Sequence, residues 1–240
     1  VKAGNRVAIC DQLEDPKLTK TIVKRGVTEL VTPGLATIDG VLNPKVNNFL
    51  ASVYLGNNIG VSFLDISTGE FIISEGSIDY IDKLLQNFNP SEILISKQKK
   101  LNFLSKFNNN FQLFFLEDWV YQYDFAIESL CSHFKTKSLK GFGVEKLKDG
   151  LVSAGAIMHY LSETQHQKIN HITSIKRIPK DDYVWMDGFT IKNLEIFQSF
   201  SREGKSLIDV IDKTISPMGG RLLKRWVALP SKNIKLIRKR

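Results

Sequence analysis

Five carboxylates carry the first spacing in this sequence that could do chemistry. Asp65 and Glu70 flank the turn Ser67-Thr68-Gly69, and Asp79, Asp82 and Glu92 follow within the next helical and extended patterns. Converging at strand ends, such groups would hold two divalent ions about 4 Å apart and cleave a phosphodiester. Asp79 and Asp82 fall on a helix face and Glu92 at a strand start, so convergent ligands are scarce and surface carboxylates are the favoured reading. A second candidate, SFSREGKS at 199–206, lacks only the first Gly of the phosphate-binding G-x-x-x-x-G-K-[ST] loop. That loop works by following a strand and opening a helix, so that its amides face phosphate. Here it follows the helical pattern of NLEIFQSF, and no nucleotide site is expected. His133, His159, His166 and His171 have no clustered Cys or carboxylate at zinc spacing, Cys131 with His133 makes a poor pair, and no nucleophile elbow is present. Catalytic, cofactor-binding and metal-binding residues are all expected to be none.

The elements that would position these residues can be read in order. Arg6 to Cys10 and Gly26 to Thr32 predict two strands around the loop CDQLEDPKLTK, and Pro33-Gly34 then breaks the chain. After a polar connection (35–46), FLASVYL, IGVSFLDI and EFIIS predict three strands between Phe49 and Ser74. Gly56-Asn57-Asn58 and Ser67-Thr68-Gly69 supply turn residues that tolerate positive φ, so antiparallel hairpins are expected. Ile78, Ile81, Leu84, Leu85 and Phe88 predict a helix ended by Pro90. EILIS (92–96), an amphipathic stretch from Leu101 to Phe107, and QLFFL (112–116) follow. Three antiparallel strands and then alternating helix and strand predict a mixed sheet with helices on its faces, an α/β domain of the ribonuclease H type.

Asp118 to Phe134 predicts one helix with Trp119, Phe125, Ile127, Leu130 and Phe134 apolar. Its polar face, including Glu128 and Ser129, is the candidate contact for a partner, set against the plainer reading of a solvated face. Leu147, Leu151, Ala154, Met158 and Leu161 recur at four, three, four and three, which predicts a long helix approached through Gly141 and Gly143. Small Ala154, Gly155 and Ala156 would let a neighbour come close, and Phe142 is expected to plug the core rather than stack on a base. Residues 166–180 form a link with a short strand in HITSIKRI, and DYVWMD (182–187) opens a further region. There Ser216 and Pro217 mark a helix start, and Ile215, Met218, Leu222 and Leu229, with Trp226, predict one buried stripe. Ile191, Leu194 and Phe197 repeat the spacing, with a shorter apolar turn at Leu207, Ile208 and Ile211, so stacked helices are expected.

The net charge of +8 suggests an anionic partner, but its distribution narrows that. Residues 1–34 hold six basic and four acidic side chains and residues 181–240 hold twelve and seven, which leaves fifteen and fourteen between them. A near-neutral middle is a poor phosphate binder and reads better as a spacer or protein-contact domain. The acid-free run Lys224, Arg225, Lys232, Lys235, Arg238, Lys239 and Arg240 is either a DNA contact or a solvated helix face, the second being favoured. No run of about 18 apolar residues and no secretory pattern occurs, so no membrane is involved. Cys10 and Cys131 are too few for a disulfide framework, and a cytoplasmic location is expected. With no initiator Met and a last segment, IKLIRKR, that reads as the start of a helix, the chain is expected to be an internal piece of a longer polypeptide.

Three ordered blocks carry a family resemblance. VAICDQLEDP with VKRGVTELVTPG, then LKGFGVEKLKDGLVSAGAIMHYLSETQ, then NLEI, SLIDVID, TISPMGGRLLKRW and LP are similar to the MutS family of bacterial DNA mismatch-recognition proteins. Leu35 stands where the family usually has Thr after TPG. The resemblance implies an end piece of the mismatch-binding domain at 1–35, a ribonuclease H-like connector domain at 36–180, and the start of an all-α core (lever) domain at 181–240. It implies that the family's mismatch-wedging Phe-x-Glu lies upstream, so no residue here takes that role. It also implies that the whole protein, a homodimer, clamps mismatched duplex DNA and uses ATP and Mg²⁺ in a distant domain. The connector would dock MutL through the helix before GFGV, where Glu128 and Ser129 stand at positions that are often Gln in the family. The expected function is therefore a connector without catalysis. The alternatives are a metal-dependent nuclease, which Asp65→Asn would inactivate, and a general nucleic-acid-binding module, whose affinity would fall steeply with salt.

Overall fold

The computed structural model describes residues 5–14, 22–36, 43–107, 111–164, 169–179, 182–201 and 203–239, the side chains of Leu236 and Lys239 excepted. The centre of the first loop (15–21), much of the polar connection (37–42), His166 and Arg240 lie outside them. The chain opens with an antiparallel ribbon, β1 (Val7–Gln12) and β2 (Arg25–Val31), whose register slips between Ile9 and Cys10. A 3-10 turn at Pro33–Leu35 then buries Gly34 and Leu35 in the main domain.

That domain is built on a mixed six-stranded sheet. β3 (Leu50–Leu55), β4 (Ile59–Asp65) and β5 (Glu70–Gly76) form an antiparallel meander. β6 (Glu92–Ser96) runs parallel to β3, and β7 (Leu113–Leu116) parallel to β6. β8 (Ile175–Arg177) pairs parallel with β5, which makes the order β7-β6-β3-β4-β5-β8. The first five strands reproduce the ribonuclease H arrangement that the element order predicts. Gly69 takes φ +70° as expected, while the Gly56-Asn57-Asn58 turn closes without positive φ.

Both sheet faces are covered, which is why the strands read as nearly continuous apolar runs. Leu50, Leu64, Phe71, Ile73 and Leu94 pack on one side beneath α3 (Tyr123–Phe134) and α4 (Lys148–Glu163). Ala51, Val53, Val61, Phe63, Ile93 and Ile95 pack on the other beneath α1 (Ile78–Phe88) and α2 (Lys100–Lys106). The face beneath α4 is kept low by small side chains: a Cβ on Gly60 would lie 2.0 Å from the carbonyl oxygen of Asp149, at the start of that helix. Phe142 packs against this core, its ring 4.9 Å from that of Phe134.

Four expectations need correction. The helix predicted over 118–134 is broken: Asp118–Tyr121 is a 3-10 turn and Gln122 is extended, because Val120 and Tyr121 turn inward to be buried against the sheet. α1 is ended by Asn89 in the left-handed region (φ 42°), its N–H bonding to the Leu85 carbonyl, with Pro90 just beyond. The NLEIFQSF helix stops early. α5 covers only Gly188–Asn193, and Glu195 at φ 48° turns the chain so that its carbonyl and that of Ile196 receive the amides of Leu207 and Ile208 at α6 (Leu207–Ile211).

The fourth correction concerns α7 (Pro217–Ala228). Its start is as predicted, with the Ser216 hydroxyl accepting from the Gly219 amide and Pro217 in the first turn. Its apolar stripe, however, is not buried: Ile215 is 99% exposed, Met218 72%, Leu222 45% and Trp226 39%, and only Leu229 is covered. The helix instead turns Gly220, Arg221, Arg225 and Ala228 towards the rest of the chain, because those basic groups find acceptors there. α8 (Ile234–Lys239) follows. Among the described residues no helix is long and apolar enough to cross a membrane.

Candidate partner-binding face and the joints that frame it

α3 lies against α4 at a contact without side chains to spare. A Cβ on Gly155 would come within 2.4 Å of the Cβ of Ala126, which is itself fully buried. The Ala-Gly-Ala run therefore does permit the close approach expected of it. Beside this contact a shallow cleft of about 390 Å³ opens between Phe125, Glu128 and Ser129 of α3 and Met158, His159 and Ser162 of α4. Glu128 is exposed and Ser129 half-buried, so both predicted residues sit on its rim. Trp119, half exposed, lies next to it and meets the rings of His159 at 4.9 Å and Phe125 at 5.2 Å, both edge-on. His159 reaches Glu163 at 3.2 Å. Such a face can bind rather than react: an exposed aromatic beside an acid and hydroxyls suits a partner with an apolar anchor and a basic neighbour. Sequence reading placed Trp119 among core positions and set His159 aside, although the i,i+4 spacing of His159 and Glu163 was available as a signal.

The carboxylates take separate structural duties. Asp65, buried, accepts from the Asn47 amide at 2.7 Å, the Ser67 amide at 2.9 Å and the Ser67 hydroxyl at 2.6 Å, closing the β4–β5 turn. Glu70 receives both guanidinium nitrogens of Arg225. Asp79 and Asp82 share α1, and burial, with Asp79 nearby, raises the Asp82 pKa. Glu92, also buried, forms a joint that went unforeseen. Its Oε1 accepts from Arg6 and from the Tyr160 hydroxyl, each at 2.8 Å, and its Oε2 from the Gly34 amide at 3.2 Å. The Arg6 guanidinium lies 3.3 Å from the Phe114 ring centroid. Burial, then the Glu92 charge, raises the Tyr160 pKa well above the ordinary phenol value, so the hydroxyl stays protonated and donates. A charge opening the otherwise apolar strand EILIS was the available clue.

A second joint fastens the helical segment. Lys45 bonds the Thr214 carbonyl at 2.6 Å and reaches Asp212 at 3.4 Å, Arg221 donates to the Pro44 carbonyl at 2.6 Å, and Arg225 clasps Glu70. Asn87 donates to the Met186 carbonyl at 2.9 Å, Gln86 accepts from the Gly188 amide, and Tyr80 meets Trp185 edge-on at 5.1 Å. Arg225, read as part of a solvated basic face, is thus an interface residue.

The remaining candidates are occupied locally. His133 bonds the Ile172 carbonyl at 2.8 Å and His171 that of Ile66 at 2.6 Å. No three His, Cys, Asp or Glu side chains approach as a metal-holding group among the described residues. In SFSREGKS the preceding segment is a turn rather than the expected helix. Ser206 is engaged in a capping box with Asp209 at the start of the five-residue α6, so the residues present do not fit a nucleotide-phosphate loop.

Comparison with known proteins gives a consistent picture along the whole length. The sequence matches the family descriptions MutS domain I over residues 1–39, MutS domain II over 48–173 and MutS domain III over 189–240. Over 241 aligned residues it is 66% identical to DNA mismatch repair protein MutS of Flavobacterium psychrophilum, 64% to that of Flavobacterium johnsoniae and 60% to that of Christiangramia forsetii. Each alignment covers 100% of this chain and 28% of the relative, so the chain spans less than a third of the length of these proteins.

Proposed function

The chain belongs to the MutS family, and on that premise we propose that it acts as a strut in DNA mismatch repair, joining a mismatch-binding head to a helical lever and docking MutL on the way. Residues 1–35 are the end of the mismatch-binding domain, 36–180 the connector, and 181–240 the start of the lever. The observation that carries this reading is the pair of polar joints. Glu92 ties Arg6 and Gly34 of the first piece to Tyr160 of α4, while Lys45, Glu70 and Gln86 hold the last piece. A strut must transmit displacement at both ends, and paired, partly buried charges with fixed geometry do that better than greasy contacts that slide.

The work of this piece is mechanical, without catalysis. ATP and Mg²⁺ act elsewhere in the whole protein, which clamps mismatched duplex DNA as a homodimer in the cytoplasm. The exposed stripe of Ile215, Met218 and Leu222 seats further helices of the lever. MutL docks on the rim that carries Glu128 and Ser129, with Trp119 as its apolar anchor. The experiment is a pull-down of MutL by the chain and by a variant with the Asp118–Phe134 face charge-reversed, Glu128→Lys included. Loss of capture with an unchanged melting temperature is expected; undiminished capture rejects the face.

A further inference from the structure

A cleft of about 830 Å³ lies where the sheet domain meets α5, α6 and α7, and its volume is that of a small-molecule site. Its lining is uneven in charge. Four cations, Lys192, Arg221, Lys224 and Arg225, face it with no carboxylate among the lining residues, and five phenylalanines, Phe88 and Phe189 included, supply flat apolar walls. Arg225 is taken by Glu70 and Arg221 in part by the Pro44 carbonyl. Lys224 is not: among the described residues its amine has no hydrogen-bond or ion-pair partner, and burial lowers its pKa against the opposing pull of Asp212. The amide wall is unsaturated as well. Asn87 donates to the Lys83 and Met186 carbonyls and leaves its Oδ1 buried without a partner.

We propose that this cleft binds a small aromatic anion of the nucleoside monophosphate class, with the phosphate at Lys224 and Arg221 and the base against Phe88 and Phe189. An anion there restores to the Lys224 ammonium the stabilisation that burial removes. The rings accept a base by stacking without reading its identity, so any of the common bases would serve. Because its walls come from both sides of the second joint, an occupied cleft would also brace that joint.

The test is a titration of the 240-residue chain with dAMP, followed by calorimetry and by backbone amide shifts. Saturable binding with a Kd of about 1 mM or tighter is expected, with shifts concentrated on the cleft residues. Lys224→Gln and Phe189→Ala should each weaken it about tenfold, or about 1.4 kcal/mol, while Lys232→Gln, outside the cleft, should not. Lys224 is half-buried and Phe189 76% exposed, so both variants should keep the parent melting temperature. Absence of saturation, parent-like affinity in both variants, or shifts centred away from the cleft would each overturn the assignment. Inorganic phosphate binding as tightly as dAMP would also overturn it, since the rings would then add nothing. So would a single-stranded oligonucleotide that occupies the cleft when dAMP does not.

Discussion

Replacing Glu92 by Gln tests the first joint with almost no change of shape. The carboxylate is 1% exposed and accepts three hydrogen bonds, two on Oε1 and one on Oε2. A glutamine can offer its carbonyl to Arg6 and Tyr160, but its NH₂ then meets the Gly34 amide, donor against donor. The Tyr160 bond falls to neutral strength and the Arg6 bond loses its ion pair, at about 1 kcal/mol each, and one buried donor is left unmet at about 1–2 kcal/mol. Arg6 keeps some access to water, its side chain being 29% exposed, so the lower part of that sum applies, about 3 kcal/mol. Against a domain stability of about 5–15 kcal/mol this is a large shift. Urea unfolding followed by tryptophan fluorescence should show the midpoint falling with an unchanged slope. The Leu30 amide, which bonds the Thr164 carbonyl at 3.2 Å, should exchange faster with solvent. A double-mutant cycle with Arg6→Met should return a coupling of about 2 kcal/mol. A cost below about 1 kcal/mol for Glu92→Gln, or a coupling under about 0.5 kcal/mol, would refute the view that this network fastens the ribbon to the sheet domain.

At the second joint, Glu70→Gln removes the acceptor of a two-pronged but partly solvated Arg225 contact and should cost about 1 kcal/mol by thermal unfolding. Gly155→Val drives a side chain into Ala126 and should destabilise by about 2 kcal/mol or more while displacing α3, read as lost Trp119 ring-current shifts on His159. Alkaline titration should lower stability above about pH 10, the ordinary phenol value. Burial raises the pKa of both Tyr121 and Tyr160, so the unfolded chain loses those protons first, and Tyr160→Phe should flatten the fall. At the acid end Asp209 and Asp212 are held below the ordinary carboxylate range, Asp209 by the Ser206 hydroxyl and amide and Asp212 by those of Thr214. Their contribution should persist above about pH 4 and disappear as pH falls through their lower folded values, seen as loosening of the α6–α7 turn by amide exchange.

Local patterns were enough for much of this protein. The apolar runs of β3 to β5, the Ser67-Thr68-Gly69 turn, the period of α4 and the Ser216-Pro217 start all rest on interactions within a few residues, which the chain order specifies directly. The family resemblance, carried by spaced blocks, was equally legible. What sequence could not settle depended on which face meets which neighbour. The stripe of α7 has the spacing of a buried face, yet Glu70 and the Pro44 carbonyl lie on the other side and draw Arg225 and Arg221 inward, so within this chain the apolar stripe is left uncovered. Tyr121 breaks a helical pattern because a place beneath α4 next to Ser52 exists only in the folded sheet. Arg6, Glu92 and Tyr160 are separated by up to 154 positions, and their meeting is decided by strand order and by the path of α4. Hydrophobic periodicity marks how a segment would be buried; only tertiary packing chooses the partner, because charges and hydroxyls bond to whatever acceptor the finished fold brings within reach.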